Sequence, residues 1–224
     1  MQVEQQQPKS VVEYLGGLAW DGVPRIDRWL IDLAGADDTE HVRKASRALL
    51  VAAVRRARKP GCRFEQLVVI NGPQGCGKSR ALELLAVEGA WFSHDLPIHG
   101  SSRDLMEATS GKWIVEAGEL LCVTSADAAA LKAYLSRTHD EARPAYQREV
   151  TRSPRQFVVV GTTSAAEYLS DATSNRRIVP ISVRHFDLAK LAEIRDQLWA
   201  ESAIAEATGE AIYIALATSN APSA

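Results

Sequence analysis

Residues 72–79 form the segment whose residue types and spacing point most directly to chemistry. They read Gly-Pro-Gln-Gly-Cys-Gly-Lys-Ser and fit the pattern G-x-x-x-x-G-K-[ST]. Glycines in such a loop let backbone N–H groups turn inward around phosphate oxygens. We therefore predict that this loop binds ATP, with Lys78 on the β- and γ-phosphates and the Ser79 hydroxyl on Mg²⁺. The predicted nucleotide-binding residues are Gly72, Pro73, Gln74, Gly75, Cys76, Gly77, Lys78 and Ser79.

A second segment of strand character, the run 112–116, ends in one glutamate, Glu116, and a second glutamate, Glu119, follows three residues later. A phosphate-binding loop of this kind needs an acidic partner that binds Mg²⁺ and activates water. Ligands of open α/β sheets collect at the carboxyl ends of strands, which is where Glu116 stands. We expect Glu116 to bind Mg²⁺ and Glu119 to polarise the attacking water. The alternatives are an exchange of these roles, or a surface position without function for either residue.

Polar and basic residues flank two further strand-like segments. The run 156–161 ends in Gly161-Thr-Thr-Ser164, from which Ser164 could sense the γ-phosphate, although Ser/Thr clusters also form ordinary turns. Arg176 and Arg177 precede the last strand-like run. Their planar, permanently charged groups suit developing phosphoryl charge, and in a ring ATPase such arginines often reach a neighbouring subunit. A solvated pair is the alternative.

The elements around these residues predict an α/β fold. Short apolar runs of strand length alternate with segments of helical periodicity, which is typical of a mostly parallel sheet between helices. The predicted strands are 66–70, 91–93, 112–116, 156–161 and 177–183, and the predicted helices include 40–59, 81–85, 126–137 and 187–207. We predict an N-terminal helical region (1–60), a P-loop ATPase core (61–186) and a C-terminal helical region with a frayed tail (187–224).

Composition excludes some classes of protein. The 224 residues are 46% hydrophobic and 24% charged, which argues against a disordered or fibrous chain. Three cysteines and five histidines lack the spacing of a disulfide framework or a zinc site. No apolar run approaches the roughly 20 residues that a membrane span needs, and the amino terminus lacks a signal pattern. We expect a soluble cytoplasmic protein.

The charge balance hides one strongly basic segment. The 26 Lys and Arg nearly balance the 28 Asp and Glu, so the chain is not uniformly basic. Between His41 and Arg63, however, there is no acidic residue. This segment is either a solvated helix face or a surface that faces DNA or another subunit. Its basic residues are Arg43, Lys44, Arg47, Arg55, Arg56, Arg58, Lys59 and Arg63.

Taken in order, these segments resemble the virulence-associated E family of phage and mobile-element proteins. That family consists of P-loop ATPases related to superfamily 3 helicases within the AAA+ group. The resemblance covers residues 11 to about 186. It rests on segments 20–30, 72–79, 112–120, 140–146, 161–164 and 175–177. Ser164 departs from the asparagine usual in the family, and Ile178-Val179 replaces an aromatic pair.

The resemblance implies an ATP-dependent DNA helicase or translocase of phage or plasmid replication, inside a bacterial host. It also implies a hexameric ring that acts on single-stranded or forked DNA, and a sensor strand between the P-loop strand and the acidic strand. A separate primase, or the remainder of a longer chain, would then supply priming. By the same analogy, Lys132, Arg137, Arg143 and Arg148 face DNA or the neighbouring subunit. The alternatives are an ATP-gated interaction or loading module without unwinding, and a small-molecule kinase.

Overall fold

A computed structural model describes residues 10–118, 125–143, 149–164 and 177–214 of the chain. The strands are β1 (Leu67–Asn71), β2 (Phe92–Ser93), β3 (Ile114–Ala117), β4 (His139–Ala142), β5 (Thr151–Pro154), β6 (Val158–Thr163) and β7 (Ile178–Ser182). The α-helices are α1 (Val11–Gly16), α2 (Trp29–Ala34), α3 (Glu40–Arg58), α4 (Lys78–Leu85), α5 (Ser102–Thr109), α6 (Ser125–Leu135) and α7 (Leu188–Ala207).

Five of the strands form one sheet in the order β2-β3-β6-β1-β7, and every neighbouring pair is parallel. β6 therefore lies between β1 and β3, as the family resemblance implied. Strands of such a sheet are buried on both faces, which explains their continuous Val- and Ile-rich sequences. The predicted mostly parallel sheet between helices is confirmed.

Alternate residues of the central strands enter two separate apolar cores, because strand side chains alternate between the two faces of a sheet. Val68 and Ile70 of β1 pack into a large core that also holds residues of α3, α4 and α7. Leu67 and Val69 enter a smaller core with residues of α5 and α6. The large core joins α3 and α7 to the same face of the sheet. The proposed division of the chain at residues 60 and 186 stays a prediction.

The basic segment between His41 and Arg63 packs mainly against α7 and its C-terminal extension. Glu206 of α7 is only 4% exposed, and Arg55, Arg58 and Lys59 of the basic segment surround it. Burial alone would raise the pKa of Glu206, but its basic neighbours outweigh burial and hold it below its usual value. Arg47 likewise pairs with Glu210.

The remaining members of the basic segment divide between buried and exposed positions. The guanidinium of Arg56 is buried and donates to the backbone carbonyls of Phe64 and Phe157. Four of the eight members are exposed, namely Arg43, Lys44, Lys59 and Arg63. Neither sequence interpretation, a solvated face or a surface facing DNA, describes the segment as a whole. Most of its charge binds α3 to the rest of the fold.

In the sequence, β4 and β5 come between β3 and β6. They pair with each other as an antiparallel hairpin, separate from the main sheet. The base of the hairpin is joined to the protein by an ion pair in which Arg155 donates to Asp140 through two hydrogen bonds of 2.6 and 2.7 Å. Arg155 also donates to the backbone carbonyl of Tyr134 and lies 3.8 Å from the centroid of that ring. Because Arg155 leads into β6 and Tyr134 belongs to α6, the ion pair connects the hairpin to both.

Two elements were not predicted from the sequence, α5 and this hairpin. α5 begins with a capping box in which Ser101 and Asp104 satisfy each other's backbone N–H groups. β4 and β5 carry few apolar residues, so they lack the hydrophobic signal of a strand. The other elements lie within a few residues of their predicted bounds. In the described part of the chain, none of the helices is long and apolar enough to span a bilayer.

Candidate functional site

The glycine-rich loop (residues 72–77) connects β1 to α4 at the carboxyl edge of the sheet. Gly75 and Gly77 have φ of +77° and +94°, a region that side chains other than glycine rarely adopt. At Gly72 a Cβ atom would lie 2.8 Å from both the Cγ2 and the carbonyl oxygen of Val183. These glycines are therefore required by backbone conformation at two positions and by close packing at the third.

The ammonium group of Lys78 lies inside this loop. Its Nζ donates to the carbonyl oxygens of Gly72 at 2.7 Å and Pro73 at 2.9 Å. Lys78 is also the first residue of α4, whose positive end faces the loop. Positive charge from a side chain and from a helix terminus thus converges on one stretch of backbone, which is an arrangement that binds anions.

Glu116 near the end of β3 forms the acidic part of the site. It is 3% exposed, and its Oε1 accepts hydrogen bonds of 2.6 Å from both the Ser79 hydroxyl and the Thr162 hydroxyl. Its other oxygen, Oε2, lies 3.8 Å from Nδ1 of His94, which is largely exposed. Side chains of α4 and β6, and of the residue that follows β2, therefore meet at one carboxylate of β3.

This set of donors fits a magnesium ion. Mg²⁺ prefers hard oxygen ligands, and the Ser79 hydroxyl and Glu116 carboxylate supply them side by side. Burying a carboxylate is costly unless a cation or hydrogen bonds compensate it. No lysine or arginine among the described residues forms an ion pair with Glu116, so its compensation comes from hydroxyl groups. No group of three or more His, Cys, Asp or Glu side chains in the described ranges could form a metal site by itself.

Two of the residues around Glu116 were not among the predicted site residues. Thr162 lies in the segment from which Ser164 was singled out, but Ser164 is exposed and no hydrogen bond to its side chain is seen within the described structure. Strand alternation from Val160 in the large core would have indicated Thr162. His94 carries no comparable signal in the sequence, because it reaches Glu116 only through the pairing of β2 with β3.

Several predicted residues lie elsewhere. Glu119, Arg176 and Arg148 fall outside the described residues. Arg177 lies at the amino edge of the sheet, since its carbonyl accepts from the N–H of Leu67 at the start of β1. The glycine-rich loop follows the other end of β1, roughly 13 Å away at the usual rise of a strand. Arg177 and the loop of the same chain are therefore on opposite edges of the sheet.

The described members of the predicted DNA- or subunit-facing set lie on the α6 and hairpin side of the fold. Lys132 is in α6, Arg137 follows that helix, and Arg143 follows β4. Arg137 and Arg143 are exposed, whereas Lys132 is half-buried and its carbonyl accepts from Arg177. Arg152 on β5 adds a further exposed arginine, paired with Glu141.

The fold and the site together define an α/β protein that combines a glycine-rich, lysine-containing loop with a buried glutamate at the same sheet edge. Residues 15–221 match the virulence-associated protein E-like domain, and the chain belongs to this family. A search of curated proteins finds no significant match.

Solved structures support the same architecture. The A form apo structure of the NrS-1 C-terminal region matches with a TM-score of 0.60 at 15% identity, covering 85% of this chain and 48% of that chain. Another apo structure of the NrS-1 C-terminal region matches with a TM-score of 0.62 at 12% identity and the same coverage. At such low identity the likeness shows the fold alone. The chain spans about half the length of these structures.

Proposed function

We propose that this protein has a P-loop NTPase fold and is an ATPase that acts as a DNA helicase or translocase in phage or plasmid replication. The observation that carries the proposal is the hydrogen bond between Ser79, at the start of α4, and the buried Glu116. A loop with inward-facing lysine can bind phosphates without hydrolysing them. A carboxylate held against the loop serine is what hydrolysis additionally needs.

In this mechanism the loop binds the phosphates of ATP. Lys78 exchanges its contacts with the Gly72 and Pro73 carbonyls for oxygens of the β- and γ-phosphates, and its charge offsets theirs. Ser79 and Glu116 would hold Mg²⁺, which neutralises phosphate charge when bound. The contact with Ser79 favours Glu116 as the metal ligand and leaves the activation of water to Glu119.

The hydrolytic step is an in-line displacement at the γ-phosphorus. The oxygen of a water molecule forms a bond to phosphorus as the bond to the β–γ bridging oxygen breaks. The products are ADP and inorganic phosphate, and the proton of the attacking water passes to a nearby carboxylate. Thr162 holds Glu116 in place during this step, since it donates to the same oxygen as Ser79 does.

DNA is the proposed partner of the hairpin side of the fold. Arg137 and Arg143 are exposed there, and Arg148 belongs to the same stretch of sequence. Exposed arginines of this kind bind phosphates of a nucleic-acid backbone and release counterions, so affinity should fall steeply with salt. The resemblance to the virulence-associated E family, to which the chain belongs, supports a replication role.

A ring of identical subunits is the proposed working assembly. Arg177 faces away from the loop of its own chain, so its guanidinium can contribute to catalysis only at the site of another copy. Such an arginine is worth about 10³- to 10⁵-fold in kcat where it has been measured in related chemistry. The family resemblance implies six copies.

The test is phosphate release by the purified protein with and without single-stranded or forked DNA. We expect DNA to stimulate release, and Lys78→Ala to abolish it because the loop then lacks the charge that binds the γ-phosphate. Lys44→Ala is the matched control, since Lys44 is an exposed lysine on α3 that pairs with Glu40. Slow turnover that ignores DNA, combined with ATP-dependent capture of a protein partner, would instead support a nucleotide-gated loading module.

A further inference from the structure

Arg177 is held in a defined position at the amino edge of the sheet. Its backbone carbonyl accepts from the N–H of Leu67 at 2.7 Å. Its side chain donates from Nε to Oε2 of Glu65 at 3.0 Å and from Nη1 to the carbonyl of Lys132 at 3.3 Å. The backbone of Arg177 is therefore fixed to β1, and its guanidinium is restrained by α6 and by the carboxylate of Glu65.

Glu65 is the only charged side chain among these restraints. It lies just before β1 and is largely buried, and it also pairs with the exposed Arg63. Burial alone would raise the pKa of Glu65, but hydrogen bonds from Arg63 and Arg177 hold it below its usual value. The carboxylate is consequently ionised at neutral pH, and it fixes the plane of the Arg177 fork through the strongest type of hydrogen bond available to it.

One end of the Arg177 guanidinium, its Nη2, is available to a ligand outside the chain. Within the described structure, no acceptor contacts its Nη2, and the side chain of Arg177 is 25% exposed. It lines an open cleft of about 350 Å³ together with Glu65, Phe64 and Tyr213. An arginine that is fixed at two of its nitrogens and open at the third suits a single anionic oxygen presented from solution or from another subunit.

We infer that Glu65 is a positioning residue that aims Arg177 at the nucleotide of a neighbouring copy of this chain. The inference rests on the proposed function, because it requires ATP hydrolysis in a ring. Glu65 itself does not touch the nucleotide. Without its carboxylate, the one acceptor that the described residues still offer the guanidinium of Arg177 is the Lys132 carbonyl, which restrains a single nitrogen. A displacement of about 1 Å in a catalytic group can cost about 100-fold in rate.

The experiment uses mixtures of two inactive variants of the full chain. Lys78→Ala chains lack a working loop but carry an intact Arg177, so they are donors of the arginine. Arg177→Ala chains carry an intact loop and are acceptors. Where the two meet, a complete site forms, and mixing them is expected to restore phosphate release in the presence of Mg²⁺, ATP and single-stranded DNA.

The substitution Glu65→Gln is then placed in one partner at a time. In the donor it should reduce the restored kcat by about 100-fold. In the acceptor it should leave the restored rate unchanged, because the arginine of that chain is already absent. Glu107→Gln in the donor is the matched control, since Glu107 pairs with the exposed Arg103 on α5. Glu65→Asp, which keeps the charge, should retain more of the donor activity than Glu65→Gln does.

Three other outcomes of these measurements would each refute a different claim. Equal effects of Glu65→Gln in donor and acceptor would mean that Glu65 serves general stability and does not act through Arg177. Failure of the unmodified mixture to regain activity, while the wild type hydrolyses ATP, would refute the contribution of Arg177 to a neighbouring site, and this inference with it. Absence of hydrolysis by the wild type would refute the proposed function itself.

Discussion

The ion pair at the base of the hairpin offers a measurable test of how the fold is held together. Arg155 is among the most deeply buried charged groups described, with a side chain 1% exposed, and Asp140 is 9% exposed. Asp140→Asn keeps the size of the side chain but leaves the arginine charge buried without its counter-ion. Breaking a buried pair in this way typically costs 3–5 kcal/mol, about 3 being expected here because Arg155 keeps its contacts with Tyr134.

This free energy converts into a shift of the thermal midpoint. Unfolding entropy near 2.1 cal/mol/K per residue gives about 0.5 kcal/mol/K for a chain of 224 residues. A loss of about 3 kcal/mol therefore lowers Tm by roughly 6 °C. Differential scanning calorimetry at neutral pH measures the shift directly.

The neighbouring residue provides the control. Glu141 is adjacent to Asp140 on β4 but pairs with Arg152 in an exposed position, where both side chains are more than half exposed. Glu141→Gln should change stability by less than about 1 kcal/mol. Replacing both buried partners, Asp140→Leu with Arg155→Met, should recover part of the loss, because no charge then remains buried. A Tm for Asp140→Asn equal to that of Glu141→Gln would refute this reasoning.

Three further predictions concern α7 and the candidate site. Glu206→Gln should lower the free energy of unfolding by about 2 kcal/mol at pH 7. Because the pKa of Glu206 is held below its usual value in the folded protein, this stabilisation is present above the pKa of the unfolded chain and lost as the pH falls through the lowered one. The Tm difference from wild type should therefore shrink as the pH falls below the pKa of the unfolded chain, and a constant difference would contradict the assignment. Gly72→Ala should abolish binding of a fluorescent ATP analogue, since the added Cβ would lie 2.8 Å from a neighbouring backbone carbonyl, whereas Gly89→Ala, with no atom within 4 Å, should bind normally. Thr162→Val should reduce kcat for ATP about tenfold with little change in KM, because it removes one hydrogen bond to Glu116 and keeps the side-chain volume; steady-state kinetics with an unaltered kcat would count against a role for that bond.

The strands of the sheet and the glycine-rich loop were predictable because their signals are local. β1 is a continuous apolar run, and a strand buried on both faces requires that pattern. The glycines and the lysine of the loop occur at fixed offsets within eight residues, so the local conformation follows from the residue types. The long helices α3 and α7 were likewise predicted within two residues of their bounds.

The hairpin was missed because its stability does not come from apolar strand residues. β4 and β5 are polar and short, and the ion pair of Asp140 with Arg155 is one of the contacts that join them to the protein. The two residues are 15 positions apart, and the antiparallel pairing of β4 with β5 brings them together. The pattern of residues within β4 or β5 therefore does not predict the ion pair between Asp140 and Arg155.

The sequence by itself determined the identity of the main elements, the position of the glycine-rich loop and the acidic residue Glu116 near the end of another strand. Tertiary structure decided which charged and polar groups meet. It paired the basic segment of α3 with carboxylates from α7, chose Thr162 as a partner of Glu116, and put Arg177 on the sheet edge opposite the loop. The physical reason is that apolar periodicity and glycine conformation act over a few residues, whereas hydrogen bonds and ion pairs act through space and depend on strand order and register.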